Sequence, residues 1–256
     1  MKKTLLLVLI VFIYRTSIGQ IWFHHVIKQS TIDAYGFDLR GGSPISPVNL
    51  CTKRYGLVTV ANGKINVDIW QIKDDTTCAN GIDKNTSLRD LNLQIIDERA
   101  TLGDPTKVLI LPFQSINLGV NTIPFRIRTK VKVDENEVEI PATGTSSFQL
   151  AFNVGYTWGF SQITTRAITN WSATLGVYAG PSTAELKKET VERPSLWTIN
   201  QTNATLTYGF NLILARNNFG LVFAYGFEHA LGKNKAEWVY KGKPYFGFGI
   251  NAGFMK

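Results

Sequence analysis

From Ser147 onward the chain alternates large apolar residues with small or polar ones at a period of two. Phe148, Leu150, Phe152, Val154, Tyr156, Trp158 and Phe160 fall on one face of an extended segment, and Gln149, Ala151, Asn153, Gly155, Thr157 and Gly159 on the other. Successive side chains of a strand point to opposite faces, so such a run predicts a β-strand with one apolar face. The pattern recurs at residues 171–180, 204–214, 221–228 and 245–255. Each segment is about ten residues long, the length a tilted strand needs to cross the hydrocarbon of a bilayer.

Which face looks inward decides the environment. In a soluble sandwich or a lipocalin-like barrel the apolar face is inside and the other meets water. A water-facing strand surface carries Lys, Glu and Arg, and glycine weakens a strand without packing benefit. Here the weaker face is mostly Gly, Ala, Ser, Thr and Asn, while the apolar faces carry large aromatics. That composition predicts aromatics turned outward around a small, moderately polar interior.

In residues 245–255, YFGFGINAGFM, Phe246, Phe248, Ile250, Ala252 and Phe254 oppose Gly247, Gly249, Asn251 and Gly253. This segment resembles the closing strand of bacterial outer-membrane β-barrels, which commonly finish on a terminal phenylalanine; here Met255 and Lys256 follow it. The resemblance implies an all-β, antiparallel up-and-down transmembrane barrel in the outer membrane of a Gram-negative bacterium, touching outer-membrane lipid and lipopolysaccharide. Periplasmic turns of such barrels are short and external loops long. If the last strand ends in the periplasm, residues 134–146, 181–203 and 230–244 are external, while 161–170 and Asn217-Asn218 are periplasmic. Trp158, Phe160, Trp171, Phe219 and Phe254 then form an aromatic girdle at the periplasmic interface.

Upstream, Ile123, Phe125, Ile127, Thr129, Val131 and Val133 alternate with Arg126, Arg128, Lys130 and Lys132. Residues 107–118 read as a further strand despite Pro112, joined to the next by residues 119–121. Counting back from the last segment gives seven strands. Strand numbers in such barrels are even, so residues 20–105 are expected to add an odd number. Residues 91–97 alone give eight, the favoured count. A hairpin of residues 55–61 and 64–72 across Asn62-Gly63, a favoured type I′ pair, makes ten the alternative. Ser87-Leu88-Arg89-Asp90 also reads as a helix cap, which would make this region a periplasmic or lumenal element.

The basic Lys2-Lys3, the apolar run from Thr4 to Tyr14, and the small residues Ser17 and Gly19 predict a secretory signal peptide over residues 1–19. The expected organisation is thus a signal over 1–19, an N-terminal segment over 20–105 giving one to three strands, and a barrel over 106–256. Losing Lys2, Lys3 and Arg15 lowers the formal net charge from +8 to +5. The excess is spread along the chain and gives no nucleic-acid footprint. Export to an oxidising compartment favours a disulfide between Cys51 and Cys78, with free thiols the alternative.

Three histidines limit the chemistry. His24-His25 reads as a solvated pair near the mature N-terminus, without ligands spaced to complete a metal site. Phe227-Glu228-His229 resembles the lipid A deacylase barrels, in which a histidine precedes a catalytic serine by two residues. Leu231 stands at that position, and neither Ala230 nor Gly232 supplies a hydroxyl, so the resemblance fails at the nucleophile. The other constellation is the row Arg126, Arg128, Lys130 and Lys132. With the apolar face outward it points into the lumen or above its mouth, where it tunes a pore towards anions or is closed off by ion pairs, for example with Glu228. An eight-stranded interior is just wide enough for side chains, which favours the plugged form. The sequence reading is a non-enzymatic barrel without cofactor or metal, whose external loops 181–203 and 230–244 engage envelope protein partners. A narrow solute channel is the main alternative. A lipid-modifying barrel enzyme and a soluble secreted β protein follow.

Overall fold

The computed structural model describes residues 20–28, 30–31, 37–39, 53–61, 64–70, 92–95, 108–133, 138–146, 149–164, 166–193 and 197–252. Its strands are β1 (Gln20–Ile27), β2 (Phe37–Leu39), β3 (Arg54–Ala61), β4 (Lys64–Ile69), β5 (Asn92–Ile95), β6 (Leu109–Arg128) and β7 (Val131–Val133). They continue as β8 (Val138–Ile140), β9 (Thr143–Ser146), β10 (Leu150–Ile163), β11 (Ile168–Leu186), β12 (Gln201–Arg216), β13 (Phe219–Ala230) and β14 (Pro244–Ala252). The fold is all-β and antiparallel, with a partly ring-like strand arrangement. No helix of the described residues is long and apolar enough to cross a membrane. Contacts divide the chain into two compact units.

Among the described residues the first unit takes in 20–21, 116–157 and 172–252. Its strands pair in the order β10-β11-β12-β13-β14-β6, and β6 also pairs with β10, so the path returns to its start after six strands. The favoured count of eight is not reproduced in this ring, and two features explain the difference. Residues 107–118 and 123–133, read from sequence as two strands, belong largely to the single strand β6. Residues 91–97 and the Asn62-Gly63 hairpin, expected to restore an even number, pair elsewhere.

Gly119 misled the sequence reading because glycine there serves close approach and makes no turn. A Cβ at Gly119 would lie 3.0 Å from Asn153 Oδ1, 3.1 Å from Asn251 Nδ2 and 3.2 Å from Asn117 Oδ1. A second irregularity sits four residues on. Against β14, Phe125 pairs with Phe248 but Thr122 with Ile250, so β6 spends one residue more than its partner. This is a β-bulge next to Pro124, which has no N–H to give to the ladder. It reverses the phase of the strand: Asn117, Asn121 and Ile123 are buried before it, Arg126 and Arg128 after it. Ile123, predicted to share the outer face of Phe125, is therefore an interior residue.

On the other ring strands the predicted alternation holds. Phe152, Phe210 and Leu175 are 65%, 63% and 55% exposed, and Leu221 and Phe246 are exposed beside them. Asn153, Thr174, Thr207, Asn211, Glu228 and Asn251 are buried on the opposite face. β12 and β13 are joined by the tight turn at Asn217-Asn218, where Asn217 takes a left-handed φ of 52° that asparagine tolerates. Beyond the ring strands, β7 and β8 form a separate ribbon. Val131, Leu186, Val191, Trp238, Val239 and Tyr240 make an apolar cluster there. The expected external loops are thus built in part from strand and packed turns. β11 runs on to Leu186, β9 pairs with β6, and Val191 bridges Trp238.

The second unit comprises Trp22–Ser115 and Trp158–Trp171. Its sheet runs β6-β1-β3-β4-β5-β2. The Asn62-Gly63 hairpin is present as β3 and β4, with Ala61 opposite Lys64. Here the alternation is turned the usual way: Ile27, Val58, Val67, Ile69, Leu111 and Ile163 pack into one apolar core. Residues 1–19, Cys51, Cys78, Ser87 to Asp90 and Phe254 lie outside the described residues.

Close pairing along the bulged β6–β14 seam gives the first prediction. A Cβ on Gly249 would run into the Thr122 carbonyl and the Ile123 backbone, whereas one on Gly144 meets nothing within 4 Å. Gly249→Ala should destabilise the fold by about 3 kcal/mol through overpacking, and Gly144→Ala should be close to neutral. Thermal unfolding of the two variants side by side checks this; equal effects would refute the seam as drawn.

Candidate functional site

The bulge in β6 places two guanidiniums inside the ring. Arg126 lies opposite Gly247 and Arg128 opposite Tyr245, while Glu228 on β13 lies opposite Thr207 on β12. Arg126 Nη1 donates to Glu228 Oε1, and Arg128 Nε donates to Glu228 Oε2 at 2.9 Å. Arg128 also lies against two aromatic rings, its Cζ 5.3 Å from the Trp238 ring centre and 5.2 Å from that of Tyr240. Such cation–π contacts favour a charge that has left water. Arg126 is 1% exposed, Arg128 6% and Glu228 1%. Glu228 is the single buried carboxylate on the ring strands.

The predicted basic row is therefore split. Arg126 and Arg128 are interior and paired, as the ion-pair reading had it. Lys130 is outside, bonded through Nζ to Glu139 Oε1 at 2.8 Å, and Lys132 is exposed. Past Arg128 the chain leaves the ring strand for the β7–β8 ribbon, so the alternation no longer reports on an interior.

Neighbouring ring residues carry hydrogen bonds across the interior. Tyr178 and Tyr245 share a bond between their hydroxyls at 2.9 Å. Gln149 Nε2 donates to Thr207 Oγ1 at 2.5 Å, and Thr207 Oγ1 donates to the Gly180 carbonyl at 3.1 Å. Thr157 and Thr174 are bonded at 2.6 Å, and Asn251 Nδ2 donates to Asn121 Oδ1 at 2.7 Å. A Cβ on Gly226 would strike the Tyr178 hydroxyl, so glycine here makes room for the tyrosine pair. These bonded polar side chains share the interior with an apolar cluster that includes Ile123, Ile213, Val222 and Ala224, and the Asn153 and Asn211 side chains are buried there without a hydrogen-bond partner. Sequence reading placed these residues inside but missed their partnerships, because the partners lie up to 130 residues apart.

A different polar group lies in the second unit. His25, expected to be solvated, is 1% exposed, with its Nε2 2.9 Å from Ser161 Oγ. Ser161 Oγ donates in turn to Asn170 Oδ1 at 2.6 Å. Burial, helped by neighbouring His24, holds His25 down at about 4 from an ordinary 6.5. His25 is thus neutral and ready to bond Ser161. His24 is half-buried against the Tyr55 ring. His229 in the first unit stacks on Tyr208, with ring centres 5.6 Å apart, and its buried Nδ1 has no protein partner. Among the described residues no three His, Cys, Asp or Glu side chains converge to hold a metal. A groove of about 580 Å³ on the outer face of the first unit is lined by Ile116, Val154, Tyr156, Leu175, Val177 and Phe210.

Two predictions come from these groups. Glu228→Gln should cost about 3–5 kcal/mol, because it leaves two buried guanidiniums without their carboxylate. Lys130→Ala, at a solvent-exposed pair, should leave stability unchanged. The unfolding midpoint reads both, and an unperturbed Glu228→Gln protein would deny the triad its structural role. For His25, the unfolded chain takes up a proton below 6.5 that the folded chain refuses until about 4. Its contribution is therefore complete above that upper value and is lost on acidification, by about 3 kcal/mol in all. His25→Asn should flatten this part of the stability–pH curve; a curve that keeps its slope would assign the effect to other groups.

Compared with known proteins, the chain matches no family model, no curated protein and no solved structure.

Proposed function

We propose that this chain is a non-enzymatic outer-membrane β-barrel with a structural or envelope-interaction role, its first unit spanning the membrane. One observation carries the reading: the ring is inverted relative to a water-soluble barrel. Leu175, Leu206, Phe210, Leu221, Phe246 and other large apolar side chains are exposed on its outer face, while its buried face holds Asn, Thr, Gln, Arg and Glu beside a smaller set of apolar residues and the tyrosines Tyr178 and Tyr245. In water this arrangement is unfavourable twice over. Apolar area left exposed forgoes about 25 cal/mol per Å², and contiguous apolar patches of this extent are rare on soluble monomers. In lipid the same face is solvated by hydrocarbon, and a closed ring leaves no strand edge to face it. The ring strands, from 9 to 20 residues long, exceed or meet the length for a crossing.

Six strands enclose less space than the eight that side chains just fill. The inward glycines Gly176, Gly226, Gly247 and Gly249, each crowded by a neighbouring strand or side chain, suit that narrowness. The bonded interior and the Arg126–Glu228–Arg128 group favour a plugged barrel over an open channel. The connections after β11 and β13, tied by Arg193 Nε to Glu237 Oε2 at 2.9 Å, supply the surface for an envelope partner. Lipid and lipopolysaccharide contact the outer face in this reading.

Fractionation followed by gel mobility with and without boiling in detergent tests the location. The protein should sediment with the outer membrane and shift its mobility on heating; a soluble periplasmic protein without such a shift would overturn the proposal. In planar bilayers it should give no conductance above background, and well-resolved channels would replace the plugged reading by the channel one.

A further inference from the structure

The ion-pair group inside the ring carries more positive charge than its partners balance. Two guanidiniums share one carboxylate, and that carboxylate has used one oxygen on each. The other acid on the ring strands, Glu185, is exposed and bonded to Lys187, and its charge acts on Arg128. The deficit falls on Arg126. Its Nη1 is taken by Glu228, but its Nε and Nη2, both buried, have no hydrogen-bond partner. These two nitrogens are the same edge of the guanidinium, where two N–H bonds run parallel. That fork matches two oxygens of a carboxylate, phosphate or sulfate. A buried, charged donor pair left without acceptors is among the most costly arrangements a fold can hold.

We infer that the interior of the ring is a binding site for one small oxyanion, held side-on by Nε and Nη2 of Arg126. The anion brings the local charge to balance and satisfies both donors. The surroundings suit it. Arg126 Cζ lies 5.8 Å from the Tyr245 ring centre, and the Tyr245 and Tyr178 hydroxyls are bonded to each other beside it. Gly247, the neighbour of Arg126 on β14, and Ala224, the next residue across on β13, bring no polar side chain to Arg126, so no acceptor is supplied from that side. The site faces the interior, so its ligand is a free anion in solution. The inference does not depend on whether the outer face of the ring meets lipid.

Equilibrium dialysis of the full chain, refolded into detergent micelles with radiolabelled inorganic phosphate, tests it. The expected result is saturable binding of one phosphate per chain, displaced by acetate or sulfate but not by chloride at equal ionic strength. Arg126→Lys keeps the charge but lacks the fork and should weaken binding about tenfold. Glu228→Gln removes the competing carboxylate and should tighten it, whereas Lys132→Ala, at the exposed position, should have no effect. Absence of saturable binding to the unmodified chain overturns the inference, whether or not any variant folds. Displacement by chloride as effective as by acetate also overturns it, since charge alone would then suffice.

Discussion

Closure of six strands into a ring is the constraint on which the first unit depends. Each ring strand has a neighbour on both sides, so its backbone is satisfied laterally and the inner space is small. Most residues in that space are glycines, side chains short enough to bond a neighbour, or charged ones held against a counter-charge, with a few apolar and tyrosine side chains such as Ile123 and Tyr245 among them. Gly226 and Gly249 stand where any Cβ would collide, Thr157 and Thr174 bond across a strand pair, and Arg126 and Arg128 converge on Glu228. The outer face follows from the same closure, because the large side chains excluded from inside must project outward. In the second unit, without a ring, aliphatic residues pack into a conventional core.

A buried group of two cations and one anion is weak evidence for stability, since desolvation offsets much of the attraction. It does specify geometry. Glu228 reaches both guanidiniums only if β13 and β6 hold their registers with β14 between them. A slip of one residue in either would turn its charge to the outer face. The triad thus selects one register among several that the repeating Gly and Phe positions of β14 would otherwise accept.

Much of this was legible in the sequence. Period-two alternation gave β10 to β14 with their faces assigned, because in those strands nothing interrupts the pleat. The β3–β4 hairpin was legible from Asn62-Gly63. Two features were not. Gly119 carries the same local signal whether it makes a turn or yields to Asn117, Asn153 and Asn251, and the difference is set by strands far along the chain. The bulge at Pro124 shifts the phase by one residue, and β6 alone does not show whether Ile123 or Phe125 keeps the earlier phase. In the candidate site, Arg126, Arg128 and Glu228 were identified. Lys130 and Lys132, which the alternation places in the same row, lie past the end of β6, where the period no longer reports on an interior. The bonding of His25 to Ser161 had no signal at all, for a buried neutral histidine and a solvated one look alike in sequence.

The seam between β6 and β14 also sets an order of events. The β12–β13 hairpin forms from residues separated by a two-residue turn, a local step completed in about 1–10 μs in simple cases. Joining Asn121 to Asn251 brings together residues 130 apart, and the entropy of closing so long a loop must be met before their contacts contribute. The ring therefore assembles as an open ribbon whose outer strands expose unpaired edges until they find each other. For that interval the molecule is a sheet with two adhesive borders, and whatever shields those borders governs how many chains finish as rings.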